Sequence, residues 1–397
     1  MAGPEDDAVA AQYARWSYPA PDLGVSGRTV WNDPAVYGAL FWPDREPPPA
    51  PRVLVAGCGT TEAPAMARAN PLARVIGIDV SQPSLDHAQR LADDLGLSNL
   101  TLHRLPIEQA DALGETFDAV SCGGVLHHLA DPAAGLAALG RVLAPDGVIS
   151  AAVYGAHARH GLHLLQQAFA AAGLGPTPED VVQVRATLPA LPAHHPARGW
   201  MAATGEPGPH DAHVVDAFLH ARDVAFTVDG VLALVRSAGL AFQGWFFNAP
   251  YHPDALLGPD HPLVARLAAL DAATLWGSTA RLTAPLDHCF LACRADRPKA
   301  HYALDFTAPD FLDWVAGRRF PEGVRHPPAP HDPRDALQDA LYRQLDGISP
   351  VRVCLARAGL QGPTDQIEAF ARGFLGHLWR KDAIYVRLPT AALGVHR

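Results

Sequence analysis

An apolar run ending in two glycines one residue apart constrains this chain more than any other feature. It is VLVAGCGTTEAP, residues 53–64, and the residues after its glycines read as a helix. Strand, tight turn and helix N-terminus together make a place where bare backbone approaches a ligand. A dinucleotide fingerprint would need a third glycine at position 62, where Glu62 would turn its charge on a pyrophosphate. A phosphate-cradling loop would end in Gly-Lys-Ser/Thr, and no lysine lies near. The next segment, ARVIGIDVSQPSLDHAQRLADDLGL, reads as a second strand, Val75 to Ile78, ending in Asp79. A helix then runs from the N-cap Ser81, with Pro83 in its first turn, to Gly96. A carboxylate about 20 residues past the glycine turn, at a strand's C-terminal end, can accept both hydroxyls of a ribose. The pattern describes an adenosine site without a phosphate site, which fits S-adenosyl-L-methionine.

Four motifs in order, VAGCGT, IGIDVS, FDAVSCGGVLHHLADP and LAPDGVISAAVY, make residues 52–153 resemble the class I S-adenosylmethionine-dependent methyltransferases. The resemblance implies a doubly wound seven-stranded α/β sheet. It also implies cofactor contacts from Gly57, Cys58, Gly59 and Thr60 at the turn, Asp79 and Val80 at the ribose, Ile107 and Glu108 at the adenine, and Gly123 after the fourth strand. Three positions depart from that family's pattern. Val55 stands where many members carry an acid that helps hold the cofactor's amino group, Thr61 replaces a common glycine, and Pro106 sits where an aspartate often caps adenine. Backbone carbonyls can accept ammonium hydrogens in place of the missing acid.

Composition narrows the partners. A net charge of −10 over 397 residues argues against nucleic acid, whose phosphates need a basic face. No apolar stretch reaches membrane-spanning length, and the acidic start is unlike a signal peptide, so a soluble cytoplasmic protein is expected. Five scattered cysteines without a C-x-x-C pair fit reduced thiols. His157, His160 and His163 recur along one helical stretch, but without a clear carboxylate or thiolate partner they read as a polar face, and no metal is expected.

The length favours more than one domain. Residues 1–50 read as an N-terminal arm or lid anchored by Tyr13, Trp16 and Tyr18, and residues 51–297 as the methyltransferase domain. Two helical cap insertions are expected in that domain, at about 157–226 and 248–286. Residues 298–397 read as a small winged-helix-like domain that folds separately, with Leu341, Leu345, Val353, Phe370, Phe374 and Leu378 in its core. Its pattern weakly resembles modules that recognise leader peptides, and a homodimer through it is the other use considered.

For chemistry, methyl transfer is an in-line displacement governed by alignment, and a base is needed only when the acceptor must lose a proton. His127 and His128 after the fourth strand are candidate bases, and Tyr154 at the end of the fifth can position the acceptor. Tyr13, Tyr18, Trp245 and Tyr251 are candidate acceptor-site residues. The sequence thus leads to a methyltransferase acting on a small metabolite or a peptide in a biosynthetic pathway. The alternative is a catalytically silent cofactor-binding scaffold that recruits a partner through its C-terminal part.

Overall fold

The structure is a computed structural model that describes residues 8–19, 30–319 and 335–389. Seven strands form one sheet: β1 (Arg52–Ala56), β2 (Arg74–Asp79), β3 (Leu100–Arg104), β4 (Phe117–Gly123), β5 (Leu143–Tyr154), β6 (Leu240–Trp245) and β7 (Asp287–Arg294). Their order is β3-β2-β1-β4-β5-β7-β6. The β1–β2, β2–β3, β1–β4 and β4–β5 pairs are parallel, and β7 runs antiparallel to β5. Four of the five β1 residues are buried, as a strand covered on both faces requires. The order reverses between β1 and β4, and ligands of such sheets bind beyond the strand ends at that switch.

Local chemistry explains the flanking helices. Ser81 caps the helix Gln82–Asp94 by accepting from the Ser84 N–H, Pro83 sits in the first turn, and Gly96 follows with φ +65°. Pro145-Asp146-Gly147 does not end an element but lies within β5, because a register shift between Phe117 and Ala119 on β4 absorbs the extra residues.

The chain divides into two compact units. The first holds residues 1–33, 48–242 and 284–295. In it the helices Ala156–Ala171, Pro178–Thr187, Pro196–Thr204 and Asp211–Phe218 bury Leu162, Phe169, Val184, Trp200, Val215 and Phe218 among themselves. The arm joins this bundle. Gln12 Oε1 accepts from the Ala221 N–H at 2.9 Å, and Trp16 Nε1 donates to the Pro176 carbonyl at 3.0 Å.

The second unit holds residues 34–47, 243–283 and 296–397, a division that departs from the boundaries at 51 and 297. Polar ties explain why residues near 250 group with the C-terminal part. Asp382, with φ +60°, accepts from the Asn248 and Ala249 N–H groups at 2.9 and 3.0 Å, and Asp254 accepts from His377 and Arg380 at 2.8 Å each. The insertion holds two helices here, Pro262–Ala268 and Ala272–Thr283, because Asp271 Oδ1 accepts from the Thr274 N–H and restarts the helix.

A small antiparallel sheet completes this unit, from β8 (Val315–Arg318), β9 (Asp346–Pro350) and β10 (Ile384–Arg387) in the order β10-β8-β9. Its helices are Ala336–Gln344, Val351–Arg357 and Thr364–Arg380. Leu341, Leu345, Phe374 and Leu378 lie in the core and Phe370 packs against it. Val353 does not belong to it, since the short helix turns Val351, Cys354 and Leu355 inward instead.

Candidate functional site

A cavity of about 430 Å³ opens in the first unit at the carboxyl ends of β1, β2, β4 and β5. Its floor is the glycine turn. Gly57 and Gly59 have φ of +71° and +52°, and the Gly57 and Cys58 N–H groups donate to the Ile78 carbonyl at 2.8 and 3.0 Å. A Cβ on Gly59 would come within 2.9 Å of the Tyr18 carbonyl oxygen, so the turn and the arm meet where only glycine fits. Thr60 is buried behind this turn and does not line the cavity. Its hydroxyl donates to the Pro19 carbonyl at 2.9 Å, while Thr61 faces the space.

Asp79 lies on the cavity wall and locks the turn to β2. Its Oδ2 accepts from the Gly59 N–H and its Oδ1 from the Ser81 N–H, both at 2.8 Å. Burial raises its pKa against the opposing pull of these backbone bonds. Each oxygen keeps a lone pair for a further donor, so the residue can still meet a ribose diol. Val80, Leu105, Ile107 and Glu108 continue the same wall, and Gly123 and Gly124 face them from the end of β4. A Cβ on Gly124 would meet nothing within 4 Å, which leaves open cavity above that glycine.

The other end is built by Tyr13, Tyr18, Trp31, His128, Tyr154, Asp216 and Asp287. The paired histidines separate here. His127 is buried, neither ring nitrogen has a hydrogen-bond partner among the described residues, and it does not line the cavity. His128 does line it. Its Nδ1 lies 2.7 Å from the Arg222 carbonyl oxygen and must carry the hydrogen, which leaves the lone pair on Nε2. Burial lowers its pKa to about 4, so the ring is neutral at neutral pH. His220 takes the opposite tautomer. Its Nδ1 accepts from the Arg222 N–H, so Nε2 donates to the Tyr13 hydroxyl, which in turn donates to Asp216 Oδ1 at 3.0 Å. Burial pushes Asp216 up to about 7.

Nitrogen and oxygen atoms of His128, Asp216 and His220 lie within 4.8 Å of one another, as a metal site would need. The two imidazoles are stacked 3.8 Å apart and 18° from parallel, however. An ion binds in the plane of an imidazole, and near-parallel planes at that spacing cannot share one. In this geometry Asp216 and His220 are joined through the Tyr13 hydroxyl instead.

Tyr154 is held between His127, with ring centroids 3.7 Å apart, and the Arg159 guanidinium, 3.5 Å from its ring centre. Arg159 in turn pairs with Asp223 at 2.6 Å. Trp245 and Tyr251 do not line the cavity. They belong to the second unit, where they stack on each other at 3.8 Å and are buried. Asp216, His220 and Asp287 escape motif reading, although HDAHVVDAFLHARD does space Asp216, His220 and Asp223 at i, i+4 and i+7.

Residues 54–149 match the family model described as a methyltransferase domain. An uncharacterized protein of a Synechococcus species is 30% identical over 280 residues, covering 66% of this chain and 65% of that protein. A ubiquinone biosynthesis O-methyltransferase of Hahella chejuensis is 38% identical over 107 residues, 26% of this chain and 44% of its own length. The chain thus spans less than two thirds of either relative. The structure of PKMT2 from Rickettsia typhi superposes with a TM-score of 0.65 over 90% of this chain and 75% of that one, at 14% identity, and so shares the fold. The same protein in complex with AdoHcy gives 0.63 at 15% identity, over 88% and 75%. Residues 54–149 thus carry a methyltransferase domain, and the chain has the fold of that solved structure.

Proposed function

We propose that the protein transfers a methyl group from S-adenosyl-L-methionine to a small metabolite or a peptide in a biosynthetic pathway, with His128 as proton acceptor. One observation carries this reading: a single cavity joins the glycine turn and Asp79 at one end to His128, Tyr13, Tyr154 and Asp216 at the other. Gly57, Gly59, Asp79, Val80, Ile107 and Glu108 would hold the cofactor, which supplies an electrophilic methyl on a cationic sulfur.

The protein's own part is alignment and proton handling. The aromatic rings of Tyr18, Trp31 and Tyr154 narrow the cavity beside His128 and exclude water from the acceptor. With its hydrogen fixed on Nδ1 by Arg222, His128 offers Nε2 to an acceptor hydrogen that must leave as the methyl arrives. The lowered pKa keeps that lone pair free throughout the neutral range. Tyr13, held by Asp216 and His220, presents a hydroxyl of fixed orientation to the same space. The C-terminal part would recognise a peptide substrate or pair two chains. No helix among the described residues is long and apolar enough to cross a membrane. The test is incubation with methyl-labelled cofactor and candidate acceptors. A product 14 mass units heavier supports the reading, and absence of transfer from a protein that binds the cofactor would favour the silent scaffold.

A further inference from the structure

Position 55 poses a problem for cofactor binding. Val55 is 1% exposed on the central strand, and no carboxylate replaces it in β1. Its register partner on β4 is Ser121, and the Ser121 hydroxyl donates to Glu62 Oε1 at 2.7 Å. Glu62 opens the helix Glu62–Ala69 directly after the glycine turn and lines the cavity.

The chain of hydrogen bonds behind Glu62 has a fixed direction. Asn32 is buried and its Nδ2 donates to both Ser121 Oγ and Ser150 Oγ at 2.8 Å. Ser121 therefore spends its hydrogen on Glu62, which must be an acceptor on that oxygen, as a carboxylate is. The arrangement fixes the Glu62 carboxyl in one orientation at the cavity wall.

The charges around it leave a role open. Carboxylates of Glu62, Asp79, Glu108, Asp216 and Asp287 line the cavity, and no lysine or arginine does among the described residues. Asp79 is spent on the turn and the ribose side, Glu108 lies on the Ile107 side, and Asp216 and Asp287 lie with Tyr154. Only Glu62 follows the turn itself, and through Ser121 it is tied to the strand position paired with Val55, where the resembled family's acid would hold the amino group.

We propose that Glu62, oriented by Ser121 and Asn32, is the ligand of the cofactor's ammonium group and replaces the acid missing at Val55. The inference rests on the cofactor reading above. Titration calorimetry on the full chain tests it with two ligands. One is S-adenosylhomocysteine, and the other is its deamino analogue, which keeps adenosine, thioether and carboxylate but lacks the amino group. Glu62→Gln should weaken S-adenosylhomocysteine about tenfold or more, the scale of a lost charge-assisted hydrogen bond, and change the analogue less than about twofold. Ser121→Ala, which keeps the Glu62 carboxyl but removes a donor that orients it, should give a smaller loss confined to the same ligand. Equal losses for both ligands, or none for S-adenosylhomocysteine, would overturn the assignment. Failure of the unaltered chain to bind either ligand would instead overturn the cofactor reading beneath it.

Discussion

His127 lies against Tyr154 with ring centroids 3.7 Å apart and planes 28° from parallel, whereas the neighbouring His128 meets the same ring edge-on at 5.6 Å. Two adjacent histidines thus have different work, one packing a tyrosine and the other facing the cavity. His128→Ala should lower kcat by roughly a hundredfold or more with little change in cofactor affinity. His127→Phe keeps a ring on Tyr154 and should retain most of the activity. Steady-state kinetics beside calorimetry decides; similar losses in the two variants would contradict the division of roles.

Asp79 holds the turn and, in the proposed site, would also hold the ribose, so its substitution should act twice. Asp79→Asn keeps the shape and should weaken cofactor binding about tenfold. Asp79→Ala also strands the Gly59 and Ser81 N–H groups and should lower the melting temperature as well. Calorimetry and thermal unfolding read the two effects separately. Unchanged affinity in Asp79→Asn would mean the adenosine site lies elsewhere.

Burial holds His128, His220 and His288 at about 4, 3 and 4. Unfolded, each titrates near about 6.5, so below that pH the unfolded chain binds more protons and stability falls until the folded values are reached. Each contributes a slope of about 1.4 kcal/mol per pH unit in that window. Asp216, raised to about 7, works in the opposite direction between about 7 and 4, as do the raised carboxyls of Asp79, Asp287 and Asp382, while His252, at about 4, and the lowered His127 add to the histidine side. The melting temperature should therefore drop between pH 7 and pH 5. His288→Gln, which can still donate to the Phe226 carbonyl, should shrink that drop. A melting temperature independent of pH across this range would contradict the account.

Removing residues 299–397 would take away the partners of Asn248, Ala249 and Asp254. The sequence alone suggests a soluble remainder. The contacts within the second unit argue for the reverse, because buried N–H groups and a carboxylate would lose their partners. Expression of residues 1–298 should give an aggregated or markedly destabilised product, measured by size-exclusion chromatography and thermal unfolding. A monodisperse product that binds S-adenosylhomocysteine normally would restore the boundary at 298.

How much was legible depends on how far apart the cooperating residues lie. Gly57, Gly59 and Asp79 stand out because strand, turn and helix fix their spacing within one unit of chain. Tyr13 and Asp216 meet across 203 positions, and no local pattern relates them. Trp245 and Tyr251 mislead for a physical reason: aromatic rings at a strand end can satisfy each other by stacking, which a sequence does not distinguish from lining a pocket. The four-residue β8 has too few positions for an alternating pattern, yet it is the centre of the small sheet.

The acid-lined, arginine-free cavity bears on turnover as well as on recognition. Methyl transfer removes the positive charge from sulfur, so the spent cofactor leaves with one charge fewer than the donor that entered. A wall of carboxylates without a cation among its lining residues therefore attracts the donor more strongly than what remains of it. In the proposed reaction that asymmetry would ease product release and let fresh donor displace by-product, most effectively at low ionic strength, where the field of the more open carboxylates is least screened.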